Sequence, residues 1–148
     1  MKAVVQRVSS AAVTVSGKTA GRIRQGLVVL LGVTHDDTPQ DAIYLSDKIL
    51  NLRIFKDAEK KMNLSIGAVG GSLLVVSQFT LLADCRKGRR PSFGKAARPE
   101  SAEKLYTFFI ERVRCENIPV EAGCFGAHMA VSLVNDGPVT IIIDSKER

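Results

Sequence analysis

Tryptophan is absent from this 148-residue sequence, and cysteine is scarce. The three cysteines, Cys85, Cys115 and Cys124, form no Cys-x-x-Cys pair and have no histidine at a zinc-binding spacing, so neither a zinc site nor a disulfide framework is indicated. The apolar runs are far shorter than the ~20 residues of a membrane span, and polar residues interrupt the N-terminal segment too early for an export signal. We therefore expect free thiols, no metal ion and a cytoplasmic protein without a membrane segment.

Acidic residues are outnumbered, with 15 Asp and Glu against 21 Lys and Arg, which gives a net charge of +6. A positive surface favours an acidic partner, and nucleic acid is the commonest one. A hydrophobic fraction of 45% is ordinary for a globular protein, and a chain of this length fits one domain, here residues 1–148.

The pattern of apolar residues predicts an α+β domain. Ala42, Leu45 and Ile49 follow Thr38-Pro39 at helical spacing and indicate a helix over roughly residues 39–52. A second helix is predicted over residues 99–116, with its apolar face formed by Ala102, Leu105, Phe109 and Val113. Strands are predicted in the segments 4–15, 27–33, 72–81, 124–134 and 139–143. We expect a curled, mostly antiparallel β-sheet with a barrel-like core and two main helices.

Standard hydrolase machinery is hard to assemble from this sequence, because His35 and His128 are the only imidazoles and no Gly-x-Ser-x-Gly elbow is present. His128 is flanked by small and apolar residues, which favours a hydrogen-bonded structural histidine. His35 precedes Asp36 and Asp37 and fits a surface turn as well as a ligand.

Two short segments are chemically unusual. Ser77-Gln78-Phe79-Thr80 places hydrogen-bonding side chains next to an apolar strand, where an unpaired buried polar group costs about 1–3 kcal/mol; a strand end that turns toward solvent explains them equally well. Asn135-Asp136-Gly137-Pro138 is interpreted first as a tight turn between two strands.

Residues 86–98 hold six positive side chains and no negative one, interrupted by Gly88, Pro91 and Gly94. This composition predicts an irregular basic loop. It fits a phosphate-binding surface and a solvated surface loop almost equally well.

Taken together, these segments resemble the D-aminoacyl-tRNA deacylase family over essentially the whole chain and in the family's order. The matching segments are Val5-Gln6-Arg7-Val8, Ser77-Gln78-Phe79-Thr80-Leu81, Phe125-Gly126-Ala127-His128-Met129 and Asn135-Asp136-Gly137-Pro138-Val139-Thr140. The resemblance implies a homodimer with its active site at the subunit interface, no metal or organic cofactor, and hydrolysis of the ester between a D-amino acid and tRNA.

The resemblance also implies roles for individual residues. Ser77, Gln78, Phe79 and Thr80 would be catalytic, with the backbone of Phe79 and Thr80 stabilising the oxyanion. Thr80 would be either the nucleophile or a structural part of the pocket. The other implied site residues are Gly137, Pro138, Arg7, Phe125 and Met129 for the substrate, and Arg86, Lys87, Arg89 and Arg90 for tRNA.

Handedness would depend on a cis peptide bond between Gly137 and Pro138 that reaches into the partner subunit's pocket, steadied by Arg7 across the dimer. Such a filter would reject L side chains but admit glycine. Two alternatives stay open: a non-enzymatic RNA-binding module, and a related deacylase with a trans Gly-Pro bond and relaxed chirality.

Overall fold

The computed structural model describes residues 1–147. Within them, eight strands and two α-helices are joined by short connections, and a four-residue 3-10 turn follows the sixth strand. The strands are β1 (Lys2–Val15), β2 (Lys18–Ile23), β3 (Gly26–Gly32), β4 (Phe55–Lys56), β5 (Met62–Leu64), β6 (Ser72–Ser77), β7 (Val120–Ala122) and β8 (Ala130–Asp144). The helices are α1 (Pro39–Leu50) and α2 (Pro99–Cys115), and the 3-10 turn is Phe79–Leu82, here called the Phe79 turn.

Strand β1 is the spine of the sheet. It pairs antiparallel with β3 through its first half, with β2 through its second half, and with β8 along nearly its whole length. Strands β6 and β7 continue the sheet from β3 in parallel, while β2 approaches β6 and β7 and so curls the sheet into an almost closed barrel. The expected α+β fold, with a curled, mostly antiparallel sheet and two helices, is confirmed.

The core has two parts. Inside the curl, Val8, Val13, Val28, Leu74 and Val76 pack together, each at most 1% exposed. Between the sheet and the helices lies a larger cluster that includes Leu27, Leu45, Ile49, Phe109 and Val113. Because β3 and β6 contribute to both clusters, these strands are covered on both faces, as their continuous apolar sequence predicts.

Helix α1 begins at the predicted place because Thr38 caps it: the Asp41 carboxylate accepts hydrogen bonds from the Thr38 backbone N–H and hydroxyl, both at 2.9 Å. Helix α2 also matches its predicted bounds, although its buried face is Tyr106, Phe109, Ile110 and Val113 rather than the predicted set. None of the described helices is both long enough and apolar enough to cross a membrane.

Three predictions for strands were wrong. Strand β6 ends at Ser77, and the chain then turns, so Phe79 and Thr80 are not in a strand. The segment 124–129 is irregular, since β8 begins only at Ala130. Strand β8 then continues to Asp144 through Asn135–Pro138, so that this motif does not separate two strands.

Candidate active site

A cavity of about 450 Å3 opens where β6 ends. Ser77, Gln78 and Phe79 form one wall, and the first turns of α2 form a second. The irregular segment before β8 closes the third side with Phe125 and Met129. Five of the predicted site residues therefore lie around one mostly apolar cavity, as in a typical small-molecule site.

The Phe79 turn begins at the mouth of this cavity. The Gln78 backbone N–H still donates to the Leu31 carbonyl of β3 at 2.8 Å, after which the chain leaves the sheet. The turn is closed by the Leu81 N–H to the Gln78 carbonyl at 3.2 Å and the Ala83 N–H to the Thr80 carbonyl at 3.1 Å. N–H groups at the start of a helical turn have no acceptor within it, so those of Phe79 and Thr80 are donors suited to an anion.

The Thr80 hydroxyl is exposed and accepts a hydrogen bond from the Gln78 side-chain amide. In residues 1–147 it has no hydrogen bond to an imidazole, carboxylate or amine that could remove its proton. A threonine nucleophile needs such a base.

Tyr106 is a cavity residue that the sequence analysis missed. Its ring lies 5.7 Å from that of Phe125, and its hydroxyl donates to the Val75 carbonyl of β6 at 2.8 Å. Burial raises the pKa of Tyr106 to about 12. Its position four residues after Ala102 on the same helix face was the available signal.

His128 differs from its predicted role as a hydrogen-bonded structural histidine. Its side chain is exposed and contributes to the cavity lining. The flanking small residues reflect an irregular surface segment rather than a core strand. His35 is likewise exposed, on the turn after β3, with Nδ1 4.0 Å from the Asp36 carboxylate.

The tight turn predicted at Asn135–Pro138 is instead a bulge on β8. Between the pairs Gln6/Thr140 and Val8/Asn135, β1 advances by two residues and β8 by five. The three extra residues, Asp136, Gly137 and Pro138, are all exposed, and the Gly137-Pro138 peptide bond is cis. The Asn135 side chain closes the bulge: its carbonyl oxygen accepts from the Val139 N–H and its amide donates to the Thr140 hydroxyl, both at 2.9 Å.

Arg7 supports this bulge from within the same chain. Although only 3% exposed, its guanidinium is fully used: Nε donates to the Asp136 carbonyl at 3.0 Å and lies 3.2 Å from the Asp136 carboxylate, while Nη1 donates to the Ile54 carbonyl. Contact across a dimer stays a prediction. Among the described residues that line the cavity, neither Gly137, Pro138 nor Arg7 is present.

The predicted basic loop is more ordered than expected. Asp84 and Ser92 exchange two backbone hydrogen bonds of 2.8 and 2.9 Å, which close residues 84–92 into what we call the basic finger. The Arg86 guanidinium donates to both Asp84 carboxylate oxygens, at 2.9 Å to Oδ1, and lowers the pKa of Asp84. The exposed residues Lys87, Arg89 and Arg90 carry the finger's remaining positive charge.

The basic finger is attached to the cavity through aromatic rings. Phe93, which follows the finger, meets Phe79 edge to face with ring centroids 5.0 Å apart. Within residues 1–147, no three His, Cys, Asp or Glu side chains are arranged to hold a metal ion.

Known proteins similar to this chain share one description. A family model described as D-Tyr-tRNA(Tyr) deacylase matches residues 4–144. A D-aminoacyl-tRNA deacylase of Clostridioides difficile (strain 630) is 60% identical over 147 residues, 99% of each chain. Another, from Thermosipho melanesiensis, is 60% identical over 148 residues, again 99% of each chain.

Two solved structures are similar in fold. One, described as c-Myc DNA Unwinding Element Binding Protein, has a TM-score of 0.92 and 44% identity, covering 97% of this chain and 98% of that one. The other, described as a probable eukaryotic D-amino acid tRNA deacylase, has a TM-score of 0.81 at 20% identity, with coverages of 96% and 97%.

Proposed function

The chain belongs to the D-Tyr-tRNA(Tyr) deacylase family, whose members are hydrolases acting on ester bonds, and from that premise we propose how it cleaves D-aminoacyl-tRNA. The observation that carries the proposal is the Phe79 turn, which presents two backbone N–H groups at the mouth of an apolar cavity. The substrate's aminoacyl-adenosine end enters this cavity beside Phe125 and Met129.

Stabilisation of negative charge is the main contribution of this site. When water attacks the ester carbonyl carbon, the carbonyl oxygen gains charge, and the N–H groups of Phe79 and Thr80 donate to it. Removing one such donor typically costs ~10²–10³ in rate. Ser77 and Gln78 hold the turn at the end of β6, where Gln78 is still bonded to β3.

Water is the nucleophile, oriented by the 2′-hydroxyl of the terminal ribose. Thr80 is a structural part of the turn, because its hydroxyl accepts from Gln78 and has no base beside it in the described chain. No step requires a metal ion or an organic cofactor.

Selection of the D isomer comes from a second copy of the chain. Gly137 and Pro138 project from the surface and do not line the cavity of their own chain, so they act in the cavity of a partner in a homodimer. There, the backbone carbonyl oxygens of the bulge hold the substrate's α-amino group, and the bulge leaves no room for an L side chain. Glycine has no side chain to clash, so glycyl-tRNA is also cleaved.

The outer face of β8 supports this assembly. Val134 is 58% exposed and Ile142 70% exposed on the same face of the strand as Pro138. Exposed apolar residues aligned on one strand face are typical of an interaction surface. In a two-fold dimer the same face of each copy meets the other, and each bulge faces its partner.

Transfer RNA binds through the basic finger. Arg86, Lys87, Arg89 and Arg90 lie beside the cavity mouth because Phe93 links the finger to Phe79. Phosphate contacts of this kind supply sequence-independent affinity that falls with salt. The enzyme acts where charged tRNA is found, in the cytoplasm, in quality control of translation.

The direct test is to incubate the purified protein with D-tyrosyl-, L-tyrosyl- and glycyl-tRNA and to measure released amino acid. We expect rapid release from the D ester, measurable release from the glycyl ester and background release from the L ester. Equal cleavage of the D and L esters would contradict the chiral filter.

Nucleic-acid binding without catalysis is the competing function, and it would leave all three esters intact. The charge of the basic finger alone is compatible with it. A variant that blocks the cavity, Ala102→Trp, separates the two functions, because it should abolish deacylation while tRNA binding in a filter assay is retained.

A further inference from the structure

We propose that Phe93, which lies outside the motifs discussed above, is a positioning residue that fixes the Phe79 turn in its active geometry. The inference rests on the proposed function, in which the N–H groups of this turn stabilise the oxyanion. Phe93 acts on them only through the ring of Phe79, so it is not itself a catalytic residue.

The first argument is that the turn is weakly held by its own bonds. It has four residues, and its two flanking backbone hydrogen bonds are long, at 3.1 and 3.2 Å. Short 3-10 segments have poor hydrogen-bond geometry and depend on their surroundings. From below, the turn rests on β3, where a Cβ on Gly32 would lie 3.1 Å from the Gln78 carbonyl oxygen. From above, it is open to solvent except at Phe79.

The second argument is that Phe79 has little other support. Its side chain is 57% exposed, so solvent alone would leave its ring free to change rotamer. The edge-to-face contact with Phe93, at 5.0 Å and an interplanar angle of 69°, is the geometry that aromatic pairs prefer. This contact therefore restricts the χ angles of Phe79 and, through them, the backbone at the start of the turn.

The third argument is that Phe93 is itself fixed from both sides. Ser92, just before it, is paired with Asp84 by two backbone bonds, and the Phe93 carbonyl accepts from the Ala96 N–H at 2.9 Å. Beyond that, the Ala97 N–H donates to the Val33 carbonyl at 2.9 Å. The ring of Phe93 is thus presented from a frame anchored at the end of β3, the strand that also supports the turn from below.

The arrangement also explains why a basic finger would be joined to the turn at all. The bonds that close the finger at Asp84 and Ser92 lie directly before Phe93, so the finger and the oxyanion donors share one rigid frame. A substrate held by its phosphates then meets the turn at a fixed distance. Misplacement of reacting groups by about 1 Å costs on the order of 10²-fold in rate.

The test compares Phe93→Ala with Phe93→Tyr, which keeps the ring, and with Phe108→Ala, which removes a 39% exposed ring on α2 away from the cavity. Each protein is assayed on D-tyrosyl-tRNA and on the D-tyrosyl ester of adenosine, which has no phosphates. For Phe93→Ala we expect kcat to fall about 10- to 100-fold on both substrates, with KM for the tRNA within about threefold. Phe93→Tyr should restore most of kcat, and Phe108→Ala should match the wild type.

Two results would overturn the inference. A wild-type kcat for Phe93→Ala would show that the turn keeps its geometry without the ring, and a loss confined to the tRNA substrate would assign Phe93 to RNA binding. If the alanine variant does not fold, Phe93→Leu decides, because it keeps apolar volume without the aromatic edge; unchanged kcat would again overturn the proposal. Failure of the wild type on both substrates would instead reject the proposed function itself.

Discussion

Strands β6 and β8 both carry a polar motif in an apolar sequence, yet they are placed in opposite ways. In β6, Leu73, Leu74, Val75 and Val76 are at most 1% exposed, and the Val75 carbonyl is bonded by the Tyr106 hydroxyl of α2. In β8, alternate residues face solvent, among them Val134 and Ile142. The first strand is completed by its own chain, whereas the second has an apolar face that only another molecule can cover.

The difference assigns separate tasks to the two motifs. The motif at the end of β6 lines a cavity, so its chemistry is internal to one subunit. The motif within β8 stands on an uncovered surface, so its effect is exerted on a neighbour. If this comparison is sound, substitutions on the β8 side should act through assembly and substrate fit, and those on the β6 side through the turn and the core.

The largest effect is expected for Gly137→Ala. Gly137 has a φ of +145°, and a Cβ there would lie 2.8 Å from the Val139 backbone nitrogen and 3.2 Å from Arg7 Nη2, so the bulge must shift. A displaced bulge no longer fits the partner's cavity, and kcat/KM for D-tyrosyl-tRNA should fall by ~10²-fold or more. Gly70→Ala is the matched control, since its φ is +62° but open space surrounds it. Equal activity of the two variants would remove the bulge from the site.

A charge on the β8 face should have the next largest effect. Ile142→Glu places a carboxylate on a side chain that is 70% exposed in the single chain, and a two-fold interface would bring two such charges together. Analytical ultracentrifugation should show a shift from dimer to monomer, with kcat/KM reduced about 10-fold, equivalent to about 1.4 kcal/mol. Phe108→Glu adds the same charge to α2 and should leave the dimer intact. A wild-type protein that is monomeric, fully active and selective would end the comparison.

A smaller effect is expected on the β6 side for Thr80→Ala. The variant loses a hydroxyl that accepts from Gln78 but keeps its backbone N–H, so deacylation should remain within about 10-fold of the wild type. Single-turnover rates with D-tyrosyl-tRNA measure this. A loss of ~10⁴-fold with the fold intact would make Thr80 the nucleophile.

The smallest effect is expected for Tyr106→Phe, measured as stability. Loss of the hydrogen bond to Val75 should cost about 1 kcal/mol at pH 8. Burial raises the pKa of Tyr106 to about 12 in the folded protein, against about 10 in the unfolded chain. The folded state therefore holds its proton more tightly, and this part of the stability is present below pH ~10 and lost between pH ~10 and 12. Urea unfolding at pH 8 and 11 should show the wild type approaching the variant; a constant difference would contradict this assignment.

The sequence predicts the parts of the fold that follow from local chemistry. Helix α1 is fixed by its Thr38 cap and by apolar residues on one side, and β3 by its continuous apolar run. Cavity residues Ser77, Phe125 and Met129 were found through their resemblance to a family rather than by periodicity, which carries no signal for them.

The remaining errors have a common cause in strand pairing. Gly137 and Pro138 are typical turn residues, but the long strand β1 offers partners on both sides of them, so the chain bulges and continues. Residues 124–129 have strand-like composition, but no neighbouring strand is available to them, and they line the cavity instead. Such competition between partners is set by the whole topology and cannot be read from a local segment.

The uneven pairing of β1 with β8 sets a limit on how this protein can vary. The bulge adds three residues to β8, and a second irregularity, between Val8/Asn135 and Ser10/Val134, gives one back to β1. The net offset is even, so Val134 and Ile142 point to the same side. Because neighbouring side chains alternate between faces, inserting or deleting one residue there would turn half of β8 inside out. Evolution or engineering can therefore exchange the amino acids of this segment far more easily than it can change their number.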